Sequence, residues 1–395
     1  MASETILATE RHYFDWNATA PLRPAARSVV VAALEATGNA SSVHAEGRAA
    51  HARIEEARRQ VAALAGAVPA EVVFVSGASE ANALALQPDI TVDGAAATRD
   101  RLFVSAVEHP SVLAGGRFAP EEREILPVDG NGIVDCDALA RALAKTQRPL
   151  VSVMLANNET GVIAPIAAIA PIVHAAGGLL HVDAVQAAGR IAIDMRALGA
   201  DLMSLSSHKV GGPQGAGALV VRAGVSVTPM FRGGGQERGL RAGTENVAAI
   251  AGFGAAAAAA LADLSADAAR MAALRDRVEA GLKAATPQAV IFGAGIPRLP
   301  NTTLVAVPGV KAETALIAFD LDGIALSSGS ACSSGKVAPS HVLAAMGVEP
   351  ALARSALRIS LGPSTTEKDV ESLLIAWKRL VPSLRKSQPN QGLAA

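Results

Sequence analysis

The sequence predicts an α/β protein with a second, smaller α+β region. Short β-branched runs alternate with helical stretches through the first 260 or so residues, most runs are apolar on consecutive positions, and past residue 262 the order of elements changes. After a polar start, residues 23–38 (RPAARSVVVAALEATG) read as a helix ended by Gly38. Residues 47–67 read as another, ending near Gly66. Strand candidates follow at 71–77 (EVVFVSG), 101–106 (RLFVSA), 149–156 (PLVSVMLA), 178–184 (GLLHVDA), 201–207 (DLMSLSS) and 217–221 (GALVV). Consecutive apolar positions are what parallel strands covered on both faces require, and APIAAIAPIVHAAGG has the length of a crossover helix.

The second region opens on the helical stretch ALADLSADAARMAALRDRVEAGLKAA. The strand candidate NTTLVAVPG, the helix KAETALIAFDLDG, the short IALSSG, then ALRISLG and the amphipathic helix TEKDVESLLIAWKRLVPSLRK complete it. The expected division is 1–20 as an N-terminal segment joining the smaller domain, 21–261 as the large domain and 262–395 as the smaller one. SQPNQGLAA at the end shows no apolar periodicity and reads as a frayed tail.

Composition narrows the function. Of 395 residues, 50% are apolar and 18% charged, and 35 Lys and Arg against 36 Asp and Glu leave a net charge of -1. That excludes a disordered chain and offers no basic footprint for nucleic acid or an acidic membrane. The apolar run 247–262 is mostly alanine and falls short of the ~20 residues that span a bilayer, so it reads as a buried helix. Cys136 and Cys332 lie far apart and make neither a disulfide framework nor a cysteine-rich zinc site. With no signal-peptide core at the start, the expected location is the cytoplasm. His12, His44, His51, His174 and His341 have no metal-ligand spacing, so no metal is expected; His181, within a strand, reads as structural. Glu55 and Glu56 followed by Arg58 and Arg59 read as a solvated, ion-paired helix face.

Chemistry begins at SGASEAN (76–82), between the strand VVFV and a helical run near Glu80. A Ser/Gly turn opening a helix leaves N–H groups free for a phosphate, though it is equally an ordinary helix start. No GxGxxG or GxxxxGK[ST] motif accompanies it, which disfavours dinucleotide and nucleoside-triphosphate chemistry. In SSHKVGGPQG (206–215), Lys209 follows an apolar strand and is the sole lysine between Lys145 and Lys283. Lysine forms Schiff bases that arginine cannot, although a surface lysine would look the same. Asp183, in HVDAVQ, stands where a carboxylate can pair with a pyridine nitrogen or cap a helix. Cys332 sits among five serines and two glycines in SSGSACSSG (327–335), a solvated loop in which a core-filling cysteine is poorly explained. Cys136, beside a turn and a helix start, is assigned no catalysis.

Taken together, GNASSVH, SGASEANALAL, EHPSVL, NNETG, HVDAVQ, SSHKVGGPQG, RAGTEN and SGSACSSG closely resemble the cysteine desulfurases of NifS/IscS type. These form a branch of the class V aminotransferases, a family of pyridoxal 5′-phosphate (PLP) enzymes. The motifs stand in the family's order from 15 to 362. The sequence departs from its usual pattern in GNASS, where proline often follows the asparagine, in the serine of SGAS and in Gln214. Segment 84–101 (LALQPDITVDGAAATRDR) does not follow the family's usual helix closely and is expected to be a variable surface loop. The resemblance implies a type I aminotransferase-like fold with a large, mostly parallel sheet domain and a smaller α+β domain. It implies that Lys209 holds PLP covalently and moves protons, that His109 stacks on the ring and assists the proton transfers as a third catalytic residue beside Lys209 and Cys332, and that Asp183 pairs with the ring nitrogen. Asn158 and Gln186 would bond around the phenolic oxygen. Gly77, Ala78, Ser79, Ser206 and His208 would hold the phosphate, with Thr244 supplied by the second subunit of a homodimer with composite sites. Arg358 would clamp the carboxylate of L-cysteine, with Asn39 lining that site. Cys332 would take the sulfur as a persulfide, leaving L-alanine, and pass it to an acceptor or iron–sulfur scaffold protein. A selenocysteine lyase or another class V aminotransferase is the alternative enzyme, and an inactive scaffold the non-enzymatic one.

Overall fold

The computed structural model describes residues 10–95, 98–329 and 339–386. In chain order the first elements are β1 (His12–Tyr13), α1 (Pro24–Leu34), α2 (Ala45–Ala65), β2 (Val72–Val75), α3 (Ala78–Ala85), β3 (Thr91–Val92), β4 (Arg101–Ser105), α4 (Pro110–Leu113) and β5 (Arg123–Leu126). Next come α5 (Cys136–Leu143), β6 (Pro149–Ser152), α6 (Ile166–Ala175), β7 (Leu179–Asp183), α7 (Met195–Leu198), β8 (Leu202–Ser206), β9 (Gly217–Val221), β10 (Val225–Ser226), α8 (Val247–Ala262) and α9 (Leu264–Ala285). The remainder holds β11 (Val290–Ile291), β12 (Thr302–Ala306), α10 (Ala312–Leu321), β13 (Ile324–Ala325), β14 (Ser327–Ser328), α11 (His341–Ala345), α12 (Pro350–Ala353), β15 (Ala356–Ser360) and α13 (Glu367–Lys386).

Seven strands form the main sheet in the order β2-β9-β8-β7-β6-β4-β5. Every pair is parallel except the two that involve β9, which runs against its neighbours β2 and β8. Apart from the edge strand β5, the sheet is dry on both faces because its strands alternate between two cores. Val72 and Phe74 join one with Phe103 and Phe253, while Val73 and Val75 join the other with Leu102 and Val104. Burying each such side chain contributes about 1.5–3 kcal/mol.

The second sheet is antiparallel, in the order β11-β12-β15-β14. Its core gathers Phe14, Val305, Phe319, Leu357 and Trp377, so the N-terminal stretch packs here, and β1 pairs in parallel with β13. Trp377 Nε1 donates to Thr286 Oγ1 at 3.1 Å, which satisfies the indole N–H inside this core.

Several expectations need adjustment. The first helix ends at Leu34, a turn before Gly38, whereas α2 ends as expected against Gly66. Gly66 adopts φ 63°, and a Cβ there would lie 2.6 Å from Asp194 Cα, so the position takes glycine on two counts. The helix expected near Glu80 starts at Ala78. Within the presumed loop 84–101, β3 pairs antiparallel with β10. Strand β5 went unforeseen because it is the sheet edge: of Arg123–Leu126, only Leu126 is buried.

The Glu55 to Arg59 face is a correction. Glu56 and Arg59 are an exposed pair, but Arg58 is buried and forms a two-pronged ion pair with Glu237 at 2.7 and 2.8 Å, its guanidinium 4.9 Å from the Phe74 ring centre. Glu237 comes from far along the chain, out of reach of any helix-face argument. Residues 247–262 form the buried helix expected, and among the described residues no single helix is long and apolar enough to cross a membrane.

Candidate active site

The C-terminal ends of the main-sheet strands converge on a cavity of about 520 Å³, the place where open α/β sheets bind ligands. β2 leads into Gly77 and the first turn of α3, β4 into Glu108 and His109, and β6 into Met154 and Asn158. Asp183 ends β7, and Ser206 ends β8 ahead of the 3-10 turn Ser207–Lys209. Arg358 reaches in from β15 of the second sheet. Of the expected site residues, Gly77, Ala78, Ser79, His109, Asn158 and Asp183 line the cavity, as do Gln186, Ser206, His208, Lys209 and Arg358.

Two expected residues, Asn39 and Thr244, are not among those that line the cavity. The Asn39 side chain accepts from the Ser41 backbone N–H at 2.9 Å, and Asn39 is not among the lining residues. Thr244 lines shallower hollows beside Phe231, Arg232 and Arg241. Cys332 lies outside the described residues.

Lys209 Nζ donates to the carbonyls of Asn17 and Ala18 at 2.6 and 2.7 Å. Asp183 is buried; its Oδ1 accepts from Val185 N at 3.0 Å and its Oδ2 from Asn82 Nδ2 at 3.1 Å. Gln186 is fixed at both ends of its amide: Nε2 donates to Asn17 O, and Oε1 accepts from Arg190 at 2.7 Å. Burial, with Lys209 and Arg190 nearby, pushes the His208 pKa down to about 4, so this imidazole is neutral at physiological pH.

Arg358 is buried, with Nη2 donating to Asp15 at 2.7 Å and Nη1 to Asn158 O at 3.0 Å. Its Nε has no hydrogen-bond partner among the described residues. A buried guanidinium with an unused donor beside a cavity is suited to an incoming carboxylate. Expected as structural, His181 is wholly buried between the hydroxyls of Ser152 and Ser204 at 2.8 and 2.9 Å, and burial takes its pKa down to about 3.

The donor set fits PLP: an amine for the aldehyde, a carboxylate for the ring nitrogen, and the first-turn N–H groups of α3 with the hydroxyls of Ser79 and Ser206 for the phosphate. Gly77 opens onto free space, so its backbone is bare to a ligand. Behind it stands Gly217, whose Cβ, if it had one, would lie 2.6 Å from Gly77 Cα and 2.9 Å from Leu205 O. The Gly217→Ala variant is therefore expected to displace the cradle and weaken PLP binding about tenfold or more, since overpacking costs about 1–3 kcal/mol. Fluorescence titration of the cofactor-free protein with PLP measures it.

Sequence reasoning missed Asn17 and Asn82, which also line the cavity, and four residues that contact its walls, Asp15, Glu108, Ser111 and Glu159. Burial, reinforced by Asp183, drives the Glu108 carboxyl well above the usual carboxylate range. Burial also raises Glu159 to about 7, against the opposing influence of the Ser340 hydrogen bond and Arg358. Ser340 Oγ donates to Glu159 Oε2 at 2.5 Å. A carboxyl raised in the folded state contributes stability below its unfolded pKa and loses it as pH rises through the folded one. The window is pH 4.5 to 7. Unlike wild type, Glu159→Gln should escape a loss of about 3 kcal/mol across that window, which urea unfolding at pH 5 and pH 8 would detect.

Comparison with known proteins agrees with this geometry. The family profile described as Aminotransferase class-V matches residues 12–373. A cysteine desulfurase of Cereibacter sphaeroides is 42% identical over 386 residues, spanning 96% of this chain and 98% of that protein. The X-ray structure of a NifS-like protein from Rickettsia africae superposes with a TM-score of 0.86 at 36% identity, covering 94% of this chain and all of that one. A structure titled SspA in complex with cysteine matches with a TM-score of 0.76 at 29% identity, over 90% of this chain and 100% of that one. The eight motifs, the type I architecture and these likenesses converge, and the chain belongs to the class V aminotransferase family, within its cysteine desulfurase group of NifS and IscS type.

Proposed function

We propose that the protein is a cysteine desulfurase that converts L-cysteine to L-alanine and retains the sulfur as a persulfide on Cys332. The observation that carries this reading is one cavity faced by an amine, a carboxylate and a buried guanidinium, those of Lys209, Asp183 and Arg358. Bound PLP supplies an electron sink for the charge that develops at the substrate α-carbon. Arg358 holds the substrate carboxylate and so fixes which bond at the α-carbon is presented to Lys209. Lys209 Nζ takes up and returns the α-proton, and Asp183 keeps the ring nitrogen protonated through a charge-assisted hydrogen bond. Asn158 and Gln186 orient the ring, while Gly77, Ala78, Ser79, Ser206 and His208 anchor the phosphate.

The Cys332 thiolate attacks the substrate sulfur; the carbon–sulfur bond breaks with its electron pair left on carbon, which is then protonated to give alanine. What supports this reading is that Ser327 pairs with Arg358 across β14 and β15, while Cys332 stands four positions after Ser328, a separation a chain spans up to about 14 Å. Thr244 does not line its own chain's cavity and stands in hollows beside the half-exposed Phe231 and beside Ser76 and Gly215, which supports a homodimer in which it serves the partner's phosphate site. An acceptor or iron–sulfur scaffold protein would collect the sulfur.

Alanine release from L-cysteine with a reductant present, in wild type and Cys332→Ala, tests the assignment. Turnover by the wild type and near-background yield from the variant are expected. Equal yields would remove the persulfide step.

A further inference from the structure

His109 stands at the cavity with its two ring nitrogens in different surroundings. Nδ1 lies 2.8 Å from Ser111 Oγ and 3.2 Å from the Ser111 backbone N, whereas among the described residues no protein atom hydrogen-bonds Nε2. The contacts behind Nδ1 have a direction. Asn82 Nδ2 reaches Asp183 Oδ2 at 3.1 Å and Ser111 Oγ at 2.9 Å. A carboxylate only accepts, so the amide must turn its NH₂ toward Asp183. Asn82 is wholly buried and its Oδ1 is left without a partner. That orphan is retained because the flipped amide would set one acceptor against another.

The direction then propagates. An NH₂ group only donates, so Ser111 Oγ accepts from Asn82 and its own hydrogen is left for His109 Nδ1. The Ser111 backbone N–H points at the same nitrogen. Nδ1 is thus an acceptor twice over, and a neutral imidazole in that setting carries its proton on Nε2.

We propose that Asn82 and Ser111 are positioning residues that transmit the acceptor character of Asp183 to His109, holding its ring in the Nε2–H form so that it meets the cavity as a hydrogen-bond donor. What Nε2 recognises is then an anionic sulfur or oxygen, and it does not take a proton from a neutral thiol. Burial disfavours the charged ring most, Asp183 favours it, and Lys209 and His341 oppose it; the balance lies below the ordinary histidine value. Glu108, the residue before His109, is the other buried acid here. Only the ligand that Nε2 meets depends on the desulfurase reading; the tautomer does not.

The test is long-range proton–nitrogen NMR of the ¹⁵N-histidine-labelled full chain at pH 7.5, with and without PLP, the His109 signals being identified by their loss in His109→Gln. A protonated Nε2 with a bare Nδ1 is expected in wild type, a tautomer mixture in Ser111→Ala, and recovery in Ser111→Thr. Asn82→Ala should also move the pH midpoint of the bound cofactor's visible absorbance by about one unit, because Asp183 loses a donor. An Nδ1–H ring or an imidazolium in wild type overturns the proposal, and so does a Ser111→Ala spectrum identical to wild type or an unmoved midpoint. Failure of the variants to fold leaves the wild-type tautomer to decide. Failure of the function reading would show separately, as absent PLP absorbance or absent alanine with the tautomer unchanged.

Discussion

Lys209→Arg is expected to abolish alanine formation, lowering kcat by at least about a thousandfold. Arginine keeps the positive charge and much of the length that lets Nζ meet the carbonyls of Asn17 and Ala18, so the turn Ser207–Lys209 should survive the change. What is lost is the neutral amine: a guanidinium stays protonated in proteins and neither condenses with an aldehyde nor accepts a proton. Borohydride followed by intact-mass measurement separates the two losses. Wild type should gain the mass of reduced, covalently attached cofactor and the variant should not, even when PLP is present in excess. A variant retaining more than about a tenth of wild-type turnover would show that another group moves the α-proton.

Arg358→Lys should lower kcat/KM for L-cysteine about a hundredfold, chiefly through KM, since a hydrogen bond to a charged group contributes about 1.5–3 kcal/mol. The planar guanidinium divides its donors among Asp15, the Asn158 carbonyl and the unpaired Nε. An ammonium can satisfy Asp15 but cannot also present a second, coplanar donor to a carboxylate. Lysine is the informative replacement because it leaves Asp15 a cation, whereas alanine would strip that carboxylate of its partner and confound binding with stability. Steady-state kinetics with saturating PLP measure the split. A change in kcat alone would place Arg358 outside ground-state binding.

The fold was legible where burial imposes a pattern. Strands β4, β7 and β8 are enclosed on both faces, so they carry apolar residues on consecutive positions, Leu-Phe-Val in β4, Leu-Leu in β7 and Leu-Met in β8, and stand out from the chain. Edge strand β5, as Arg-Glu-Ile-Leu, carries no such pattern. The ligand-facing half of the site was legible through its motifs, because the chemistry demands an amine, an acid and a guanidinium at set places. Its supporting half was not. Asn82 stood in a motif already singled out, yet nothing in SGASEAN tells that its amide will bridge Asp183 and Ser111. Neutral polar side chains follow no period, and their partners are chosen only when distant segments meet. Arg58 was misread for the same reason, its partner Glu237 being invisible from the helix that carries it.

The pairing of β1 with β13, and of Asp15 with Arg358, joins the two ends of the chain. On a ribosome adding about 5–20 residues per second, Lys209 emerges roughly seven to thirty seconds before Arg358. For that interval the nascent polypeptide carries the amine while the cation proposed to hold its substrate is unmade. On the proposed roles, the chain gains its reactive group well before it gains the means to choose what that group meets.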